Sequence, residues 1–176
     1  MILKLKRTPG IYLVGFMGSG KTTIGRLLAD HLGWQFADLD EEIEAEEETT
    51  IANLFDRLGE PEFRRIESAA LRKHVRTIEC GRPTVIALGG GTFVQHENFD
   101  LLENHGVTIW LDCPFETVRQ RVEKASHRPL ARDGKRFEEL FRGRQTAYAK
   151  ADYRIPIECD DPLVALEAIL QLPLFG

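Results

Sequence analysis

The chain has 176 residues, of which 43% are hydrophobic and 29% are charged, and its formal net charge is −5. A negative net charge argues against a general affinity for nucleic acid or for anionic membranes. No apolar run approaches the about 20 residues that a membrane span needs. Because the length suits one domain with a sizeable core, we expect residues 1–176 to form a single domain. We further expect a cytoplasmic protein that works as a monomer.

The three cysteines do not form a recognisable framework. Cys80, Cys113 and Cys159 are odd in number, far apart in the sequence and without a C-x-x-C pair. Disulfide scaffolds and zinc sites normally show paired, closely spaced cysteines. We therefore expect reduced thiols that pack as small apolar groups.

Short apolar runs alternate with segments of helical periodicity along the whole chain. Strands are predicted at residues 10–16, 34–40, 83–91, 106–113 and 153–159. Helices are predicted over a segment that ends at Gly33, over about 40–78 with an interruption around 57–63, and over 114–125, 136–151 and 162–172. Such alternation predicts an α/β fold, a three-layer sandwich in which helices flank both faces of a five-stranded parallel sheet.

The first strand runs into a glycine-rich loop, residues 15–22, that opens a helix. Gly15, Gly20, Lys21 and Thr22 match the pattern G-x-x-x-x-G-K-[ST]. In this pattern backbone N–H groups surround phosphates, the lysine reaches the β- and γ-phosphates, and the Thr hydroxyl ligates Mg²⁺. The loop residues expected to contact the nucleotide are Gly18, Ser19, Gly20, Lys21, Thr22 and Thr23. The loop predicts a nucleoside triphosphate with Mg²⁺, but it does not separate a switch, an ATPase and a kinase.

Two aspartates close the second predicted strand. Asp38 and Asp40 are two residues apart, so an extended backbone would aim both carboxylates to the same side. One carboxylate near Mg²⁺ and one near an acceptor hydroxyl would suit phosphoryl transfer. The alternative is a strand end followed by a helix that Asp40 caps. The sequence leaves both interpretations open.

An arginine and a glutamate occupy one face of the predicted helical region at about 40–78. Arg64 and Glu67 are three residues apart, so they can pair along the helix. An arginine held by a carboxylate presents its planar fork in a fixed direction, which suits a carboxylate or phosphate on a ligand. An ordinary surface ion pair is the alternative.

The third predicted strand ends in three glycines, Gly89, Gly90 and Gly91. Consecutive glycines allow a close approach of the backbone to a neighbouring group and can turn N–H groups toward an anion or a hydroxyl. A flexible exit from the strand is the alternative. Since this strand carries no terminal aspartate, Asp38 is the better candidate for the metal side.

A basic, loop-like segment separates two predicted helices late in the chain. It predicts a lid over about residues 122–135, in which Arg128 stabilises charge on the transferred phosphoryl group and helps to exclude water. A solvated surface loop is the alternative. Arg144, on the following helix, is a second candidate for binding an anion.

Taken in this order, the motifs resemble those of the shikimate kinases, in the nucleoside monophosphate kinase-like branch of phosphate-loop proteins. The resemblance extends from about Tyr12 to Leu170, and its carriers are "GFMGSGKTT", "FADLD", "GEPEFRRIE", "ALGGGT", "HRPL" and "RQTAYAKAD". It implies a five-stranded parallel sheet, MgATP as the phosphoryl donor and transfer to the 3-hydroxyl of shikimate in aromatic amino acid (chorismate) biosynthesis. One departure occurs: Thr146 stands where the family commonly has proline in R-x-P-x-Y.

The resemblance also implies roles for the acceptor side. Asp40 would hold the shikimate hydroxyls and take the proton, Arg64 and Arg144 would clamp the carboxylate, and Glu67 would orient Arg64. The glycines would contact the ring of shikimate, and two phenylalanines would form an apolar wall. The residues implied around the acceptor are Asp40, Phe55, Phe63, Arg64, Glu67, Gly89, Gly90, Gly91 and Arg144.

On the donor side, the resemblance implies that Asp38 and Thr22 hold Mg²⁺ and that Lys21 and Arg128 contact the phosphates. Arg121 and the turn before Pro162 would lie near the adenine. The nearest rival is a gluconate-type or other hydroxy-acid kinase on the same scaffold. A nucleoside monophosphate kinase fits less well, because two arginines plus an aspartate suit a hydroxylated carboxylate. From another class, the alternative is a regulatory module that binds nucleotide without turnover. Such a module would not need the set of Lys21, Asp40, Arg64 and Arg128.

Overall fold

A computed structural model describes residues 10–125 and 133–175. Its strands are β1 (Gly10–Val14), β2 (Gln35–Asp38), β3 (Thr84–Ala87), β4 (Val107–Asp112) and β5 (Tyr153–Pro156). They form one five-stranded sheet in the order β2-β3-β1-β4-β5, and every neighbouring pair is parallel. The predicted parallel sheet is confirmed.

Eight helices flank this sheet in the described part of the chain. They are α1 (Lys21–Leu32), α2 (Leu39–Glu46), α3 (Ile51–Leu58), α4 (Glu60–Glu79), α5 (His96–Glu103), α6 (Phe115–Lys124), α7 (Gly134–Tyr148) and α8 (Pro162–Leu170). Helix α1 packs on β3 and against α8, whereas α4 packs against α2, α3 and α5. None of the helices within the described ranges combines the length and the apolar content that crossing a membrane requires.

Burial follows the position of each strand in the sheet. Every residue of β1 and β3 is buried, and so is all of β4 except its last residue, Asp112. The edge strands β2 and β5 are partly exposed. Central strands of a parallel sheet are covered on both faces, which is why these segments are almost continuously apolar.

The connections bring two glycine-rich loops to one crevice. Strands β1 and β3 are neighbours, but the chain leaves β1 toward β2 on one side and leaves β3 toward β4 on the other. In open parallel sheets such a reversal opens a crevice at the carboxyl ends of the strands. The phosphate loop (15–22) follows β1 and the glycine triplet (Gly89–Gly91) follows β3, so both border this crevice.

The helices differ from the predicted ones in two places. The region from 40 to 78 contains two interruptions rather than one, because Glu48 takes a positive φ of 51° and Thr50 caps a new helix through the N–H of Asn53. Helix α5 was not predicted at all. It has only eight residues, and Gln95 at its start makes no capping hydrogen bond through its side chain, so the usual start signal is absent.

Half of the predicted lid, residues 126–132, lies outside the described residues. Arg128 belongs to the part of the chain between 125 and 133 that is not described. Helices flank the segment on both sides. Helix α6 ends at Lys124, and α7 begins at Gly134 with Asp133 as its N-cap. The predicted helix start at 136 is therefore two residues late.

The expectation for the cysteines is correct for one of them only. Cys113 is buried, and burial raises the pKa of its thiol above the ordinary range. Cys80 and Cys159 are free but exposed, so the prediction that they pack as apolar groups is wrong. Both lie near the ends of elements, where a small residue contacts solvent rather than the core.

Candidate functional site

The phosphate loop has the geometry of an anion site. Gly20 precedes α1 with a φ of 96° and, as a glycine, offers no side chain to cap the helix. Gly15 and Gly18 also have positive φ values, of 149° and 78°. The first N–H groups of α1 are therefore left for a ligand, and the helix dipole favours a negative charge there. The Ser19 hydroxyl, 1% exposed, has no hydrogen-bond partner among the described residues. These features fit a polyphosphate.

Lys21, the first residue of α1, folds back over the loop. Its Nζ donates to the carbonyl oxygens of Gly15 and Phe16, at 2.8 and 2.9 Å. These bonds hold the ammonium at the mouth of the loop, where it can compensate phosphate charge.

Asp38 connects the phosphate loop to the start of α2. The Thr22 hydroxyl donates to Asp38 Oδ2 at 2.5 Å, while Asp38 Oδ1 accepts the N–H groups of Asp40 and Glu41 at 3.1 and 3.2 Å. One hydroxyl and one carboxylate therefore meet beside the loop. Oxygen ligands of this kind suit Mg²⁺, which usually takes one or two carboxylates together with substrate phosphates.

The predicted extended pairing of the two aspartates is wrong. Strand β2 ends at Asp38, and Asp40 lies in the first turn of α2 rather than at the end of a strand. The alternative interpretation, a strand end followed by a cap, is correct in kind, but Asp38 rather than Asp40 is the capping residue. The short side chain of Asp38 satisfies helix N–H groups that would otherwise lack partners.

Asp40 nevertheless lies beside the glycine triplet. A Cβ atom placed on Gly89 would lie 2.7 Å from Asp40 Oδ1, 2.9 Å from Thr92 Oγ1 and 3.0 Å from Glu67 Oε1. These three oxygens therefore surround one point, which only a glycine leaves open.

Arg64 and Glu67 pair inside the protein rather than on its surface. Arg64 Nη1 donates to Glu67 Oε2 at 2.8 Å, and the two side chains are 14% and 1% exposed. The guanidinium also lies over two rings, 5.6 Å from the centroid of Phe55 and 5.3 Å from that of Phe63. Arg64 Nε and Nη2 also donate to the exposed Glu60 carboxylate, at 3.4 Å each. The two rings and the two carboxylates therefore restrict the direction in which the guanidinium points.

The glycine triplet is the common wall of this cluster. A Cβ atom on Gly91 would lie 2.7 Å from Arg64 Cζ, and one on Gly90 would lie 3.1 Å from Arg144 Nη1 and 3.5 Å from the backbone N of Met17. The triplet thus touches both arginines and the phosphate loop at once. Close approach, rather than flexibility, explains why side chains are missing here.

Arg144 reaches the triplet from α7, and Thr146, at the position of the family proline, lies inside the same helix. The Arg144 guanidinium lies 5.7 Å from the centroid of the Phe16 ring. One turn later, the Tyr148 hydroxyl donates to the carbonyl oxygen of Gly90. Burial raises the pKa of Tyr148 to about 12, against the opposing charge of Arg144. The phenol therefore stays protonated and keeps this bond at neutral pH.

Replacing Tyr148 with phenylalanine is expected to flatten the loss of stability at alkaline pH. The folded state holds the Tyr148 proton between pH 10 and about 12 while the unfolded chain releases it. The folded state is therefore stabilised below pH 10 and loses this contribution above it, by about 1.4 kcal/mol for each pH unit. Urea unfolding at pH 8, 10 and 11 should show a shallower decline for Tyr148→Phe. If the free energy of unfolding fell equally steeply with pH in both proteins, the raised pKa of Tyr148 would be contradicted.

Arg121 connects the phosphate loop to the turn before α8. It donates to the Gly18 carbonyl oxygen at 3.0 Å and pairs with Asp160 at 2.7 Å. Beside this link is a cavity of about 500 Å³ between α1 and α8. Its lining residues are Thr22, Thr23, Arg26, Leu27, Asp161, Pro162 and Leu163.

Comparison with known sequences identifies the family to which the chain belongs. The model of the family described as "Shikimate kinase" matches residues 17–172 of the chain. A shikimate kinase of Persephonella marina is 42% identical over 161 residues, which are 91% of this chain and 96% of that protein. The chain belongs to the shikimate kinase family.

Solved shikimate kinases have the same fold. The enzyme from Acinetobacter baumannii, in complex with shikimate, gives a TM-score of 0.87 at 34% identity and covers 99% of this chain and 97% of its own. The enzyme from Aquifex aeolicus gives 0.80 at 34% identity, with 92% and 94% covered. The sheet order and the flanking helices of this chain are therefore those of a shikimate kinase.

Some residues of this shikimate kinase site were not singled out by the sequence. Thr92, Asn98 and Phe16 are buried beside the predicted residues and contact them or their neighbours. The sequence held one indication of these residues: two polar residues, Thr92 and Asn98, flank a short segment with apolar residues directly after the glycines. No group of three or more His, Cys, Asp or Glu side chains that could hold a metal occurs in ranges 10–125 and 133–175.

Proposed function

We propose that this chain transfers the γ-phosphoryl group of ATP to the 3-hydroxyl of shikimate, in the aromatic (chorismate) pathway. As a member of its family, the chain is an ATP-dependent kinase that acts on an alcohol acceptor. One observation supports its site assignment above all. Asp40, Arg64 and Arg144 all lie against a glycine triplet that also touches the phosphate loop at Met17.

On the donor side, we assign the triphosphate to the phosphate loop, with Lys21 against the β- and γ-phosphates. Thr22 and Asp38 would hold Mg²⁺, which would supply positive charge to offset that of the phosphates. The cavity lined by Thr23 and Pro162 would receive the adenine, next to Arg121. Gly18, Ser19 and Gly20 contribute loop backbone around the phosphates.

On the acceptor side, Arg64 and Arg144 bind the carboxylate of shikimate through charged hydrogen bonds. Asp40 orients the 3-hydroxyl and accepts its proton as the hydroxyl oxygen bonds to the γ-phosphorus. The bond from that phosphorus to the bridging oxygen breaks, and its electron pair leaves with ADP. Phe55 and Phe63 form an apolar wall behind Arg64, which supports binding of the ring.

Other assignments complete the proposal. Arg128, outside the described residues, would contact the phosphates from a lid at about 122–135 and help to exclude water. We further propose that the chain is one domain, works as a monomer and resides in the cytoplasm. These assignments come from the sequence and from the resemblance of its motifs.

The proposed reaction is tested by offering shikimate, gluconate and AMP separately with MgATP and measuring ADP release. Turnover with shikimate, and little with the other two, is the expected result. EDTA should stop the reaction, and added Mg²⁺ should restore it. If ADP release does not depend on shikimate, the proposed acceptor is wrong. Size-exclusion chromatography with light scattering tests the monomer.

Replacing Gly91 with alanine is expected to weaken shikimate binding selectively. The added Cβ would displace the Arg64 guanidinium, which is the end of a flexible side chain, so the fold should survive. Loss of one charged hydrogen-bonding group predicts a rise in KM for shikimate of about tenfold, with KM for ATP unchanged.

The matched control is Gly143→Ala, because Gly143 is exposed on α7 outside the predicted lid and a Cβ atom there would have no described atom within 4 Å. Steady-state kinetics of both variants, with each substrate varied in turn, makes the comparison. A Gly91→Ala enzyme with the original KM for shikimate would remove Arg64 from the proposed acceptor site.

A further inference from the structure

Glu67 has a second hydrogen-bond partner on the side away from Arg64. While Glu67 Oε2 accepts from Arg64 at 2.8 Å, Glu67 Oε1 accepts the hydroxyl of Thr92 at 2.6 Å. Glu67 is 1% exposed and Thr92 is fully buried. Each carboxylate oxygen therefore has its own protein partner, in a place where bulk water does not compete.

Thr92 is in turn fixed by its surroundings. Its N–H donates to the carbonyl oxygen of Gly89 at 3.1 Å, which closes a turn around the glycine triplet. The side-chain amide of Asn98, 1% exposed, donates to the Thr92 carbonyl oxygen at 3.0 Å. Since Asn98 belongs to α5, this helix anchors the backbone from which the Thr92 hydroxyl projects.

Two partners are needed to define the direction of the Glu67 carboxylate. The last torsion of a glutamate side chain is broad, so one bond to a long, flexible arginine does not fix the plane of the carboxylate. A second bond from a hydroxyl on a rigid turn does fix it. The guanidinium then follows, because an arginine–carboxylate pair is directional.

We propose that Thr92 is a positioning residue for the acceptor: its hydroxyl fixes Glu67, and Glu67 holds Arg64 toward the carboxylate of the substrate. This inference depends on the proposed function, in which Arg64 binds that carboxylate. The carboxylate is bound in the ground state and in the transition state alike. A loosened Arg64 should therefore raise KM for the acceptor more than it lowers kcat.

The test is the Thr92→Val variant, which keeps the shape of the side chain and removes the hydroxyl. We expect KM for shikimate to rise about tenfold, the size of one lost hydrogen bond to a charged group. Changes in kcat and in KM for ATP should stay within about threefold on the same reasoning. Thr92→Ser restores the hydroxyl and should bring KM for shikimate back toward its original value.

Two comparisons separate positioning from a general structural effect. Thr84→Val removes another buried hydroxyl near the opposite end of β3, where it donates to the Arg82 carbonyl oxygen at 3.0 Å. This control should leave KM for shikimate unchanged. In an Arg64→Ala background, Thr92→Val should add little to KM for shikimate, because residues that act through one another are not additive.

Three results would overturn the inference. The first is an unchanged KM for shikimate in Thr92→Val, and the second is an additive effect in the Arg64→Ala background. The third is a fall in kcat alone, which would place Thr92 with its other neighbour, Asp40. Absence of shikimate-dependent turnover in the unsubstituted chain is a different failure: it overturns the proposed function, and this inference with it.

Discussion

An Asp40→Asn enzyme is expected to lose kcat by about a hundredfold to ten-thousandfold, the usual contribution of a positioned general base. Asparagine keeps the size of the side chain but accepts a proton far less readily. The Asp40 carboxylate lies beside the glycine triplet, whereas the Thr22 hydroxyl bonds to the carboxylate of Asp38. Binding of MgATP, measured by calorimetric titration, should therefore be retained.

The matched control is Asp30→Asn, which removes one exposed carboxylate from α1 and should leave kcat unchanged. Asp40→Asn should also unfold at a temperature similar to that of the unsubstituted chain, since a carboxylate near a helix N-terminus contributes only about 0.3–1 kcal/mol. If Asp40→Asn instead lost its affinity for MgATP at unchanged kcat, Asp40 would belong to the metal side.

A Lys21→Ala enzyme is expected to lose kcat by about a hundredfold to a thousandfold, as when other preorganised charge-stabilising groups are removed. The Lys21 ammonium is held at the mouth of the loop by the carbonyls of Gly15 and Phe16. Without it, charge on the transferred phosphoryl group has no lysine to compensate it. The loss should appear with any acceptor, in contrast to the selective effect of Gly91→Ala.

Lys73→Ala is the control for Lys21, because Lys73 is an exposed lysine that pairs with Glu46 on the surface. The values of kcat for the two variants are compared by measuring ADP release over time at saturating shikimate. Normal turnover by Lys21→Ala would mean that the loop after β1 does not hold the phosphoryl donor.

The features that the sequence predicted well are those encoded over a few neighbouring residues. The phosphate loop is a contiguous pattern, and the Arg64–Glu67 pair follows from a spacing of three on one helix. Likewise, the apolar runs of β1, β3 and β4 predicted buried parallel strands because they are covered on both faces. Local chemistry was sufficient in each case.

What the sequence did not predict depends on contacts between distant residues or on where an element ends. Thr92 meets Glu67 across 25 positions, and Arg121 meets Asp160 across 39. No spacing rule connects such residues before the fold is known. The roles of Asp38 and Asp40 were predicted incorrectly because β2 ends two residues earlier than predicted. Sequence patterns locate the ends of helices and strands less precisely than they locate the elements themselves.

The position of Asp38 has a consequence for how the two substrates meet. It is at once the last residue of β2 and the cap of α2, and a single residue, Leu39, separates it from Asp40. The backbone spacing between the proposed metal side and the proposed acceptor side is therefore set by the first turn of α2, which Asp38 closes by accepting the N–H groups of Asp40 and Glu41. Movements elsewhere in the chain can then admit or exclude solvent without separating the backbone of Asp38 from that of Asp40.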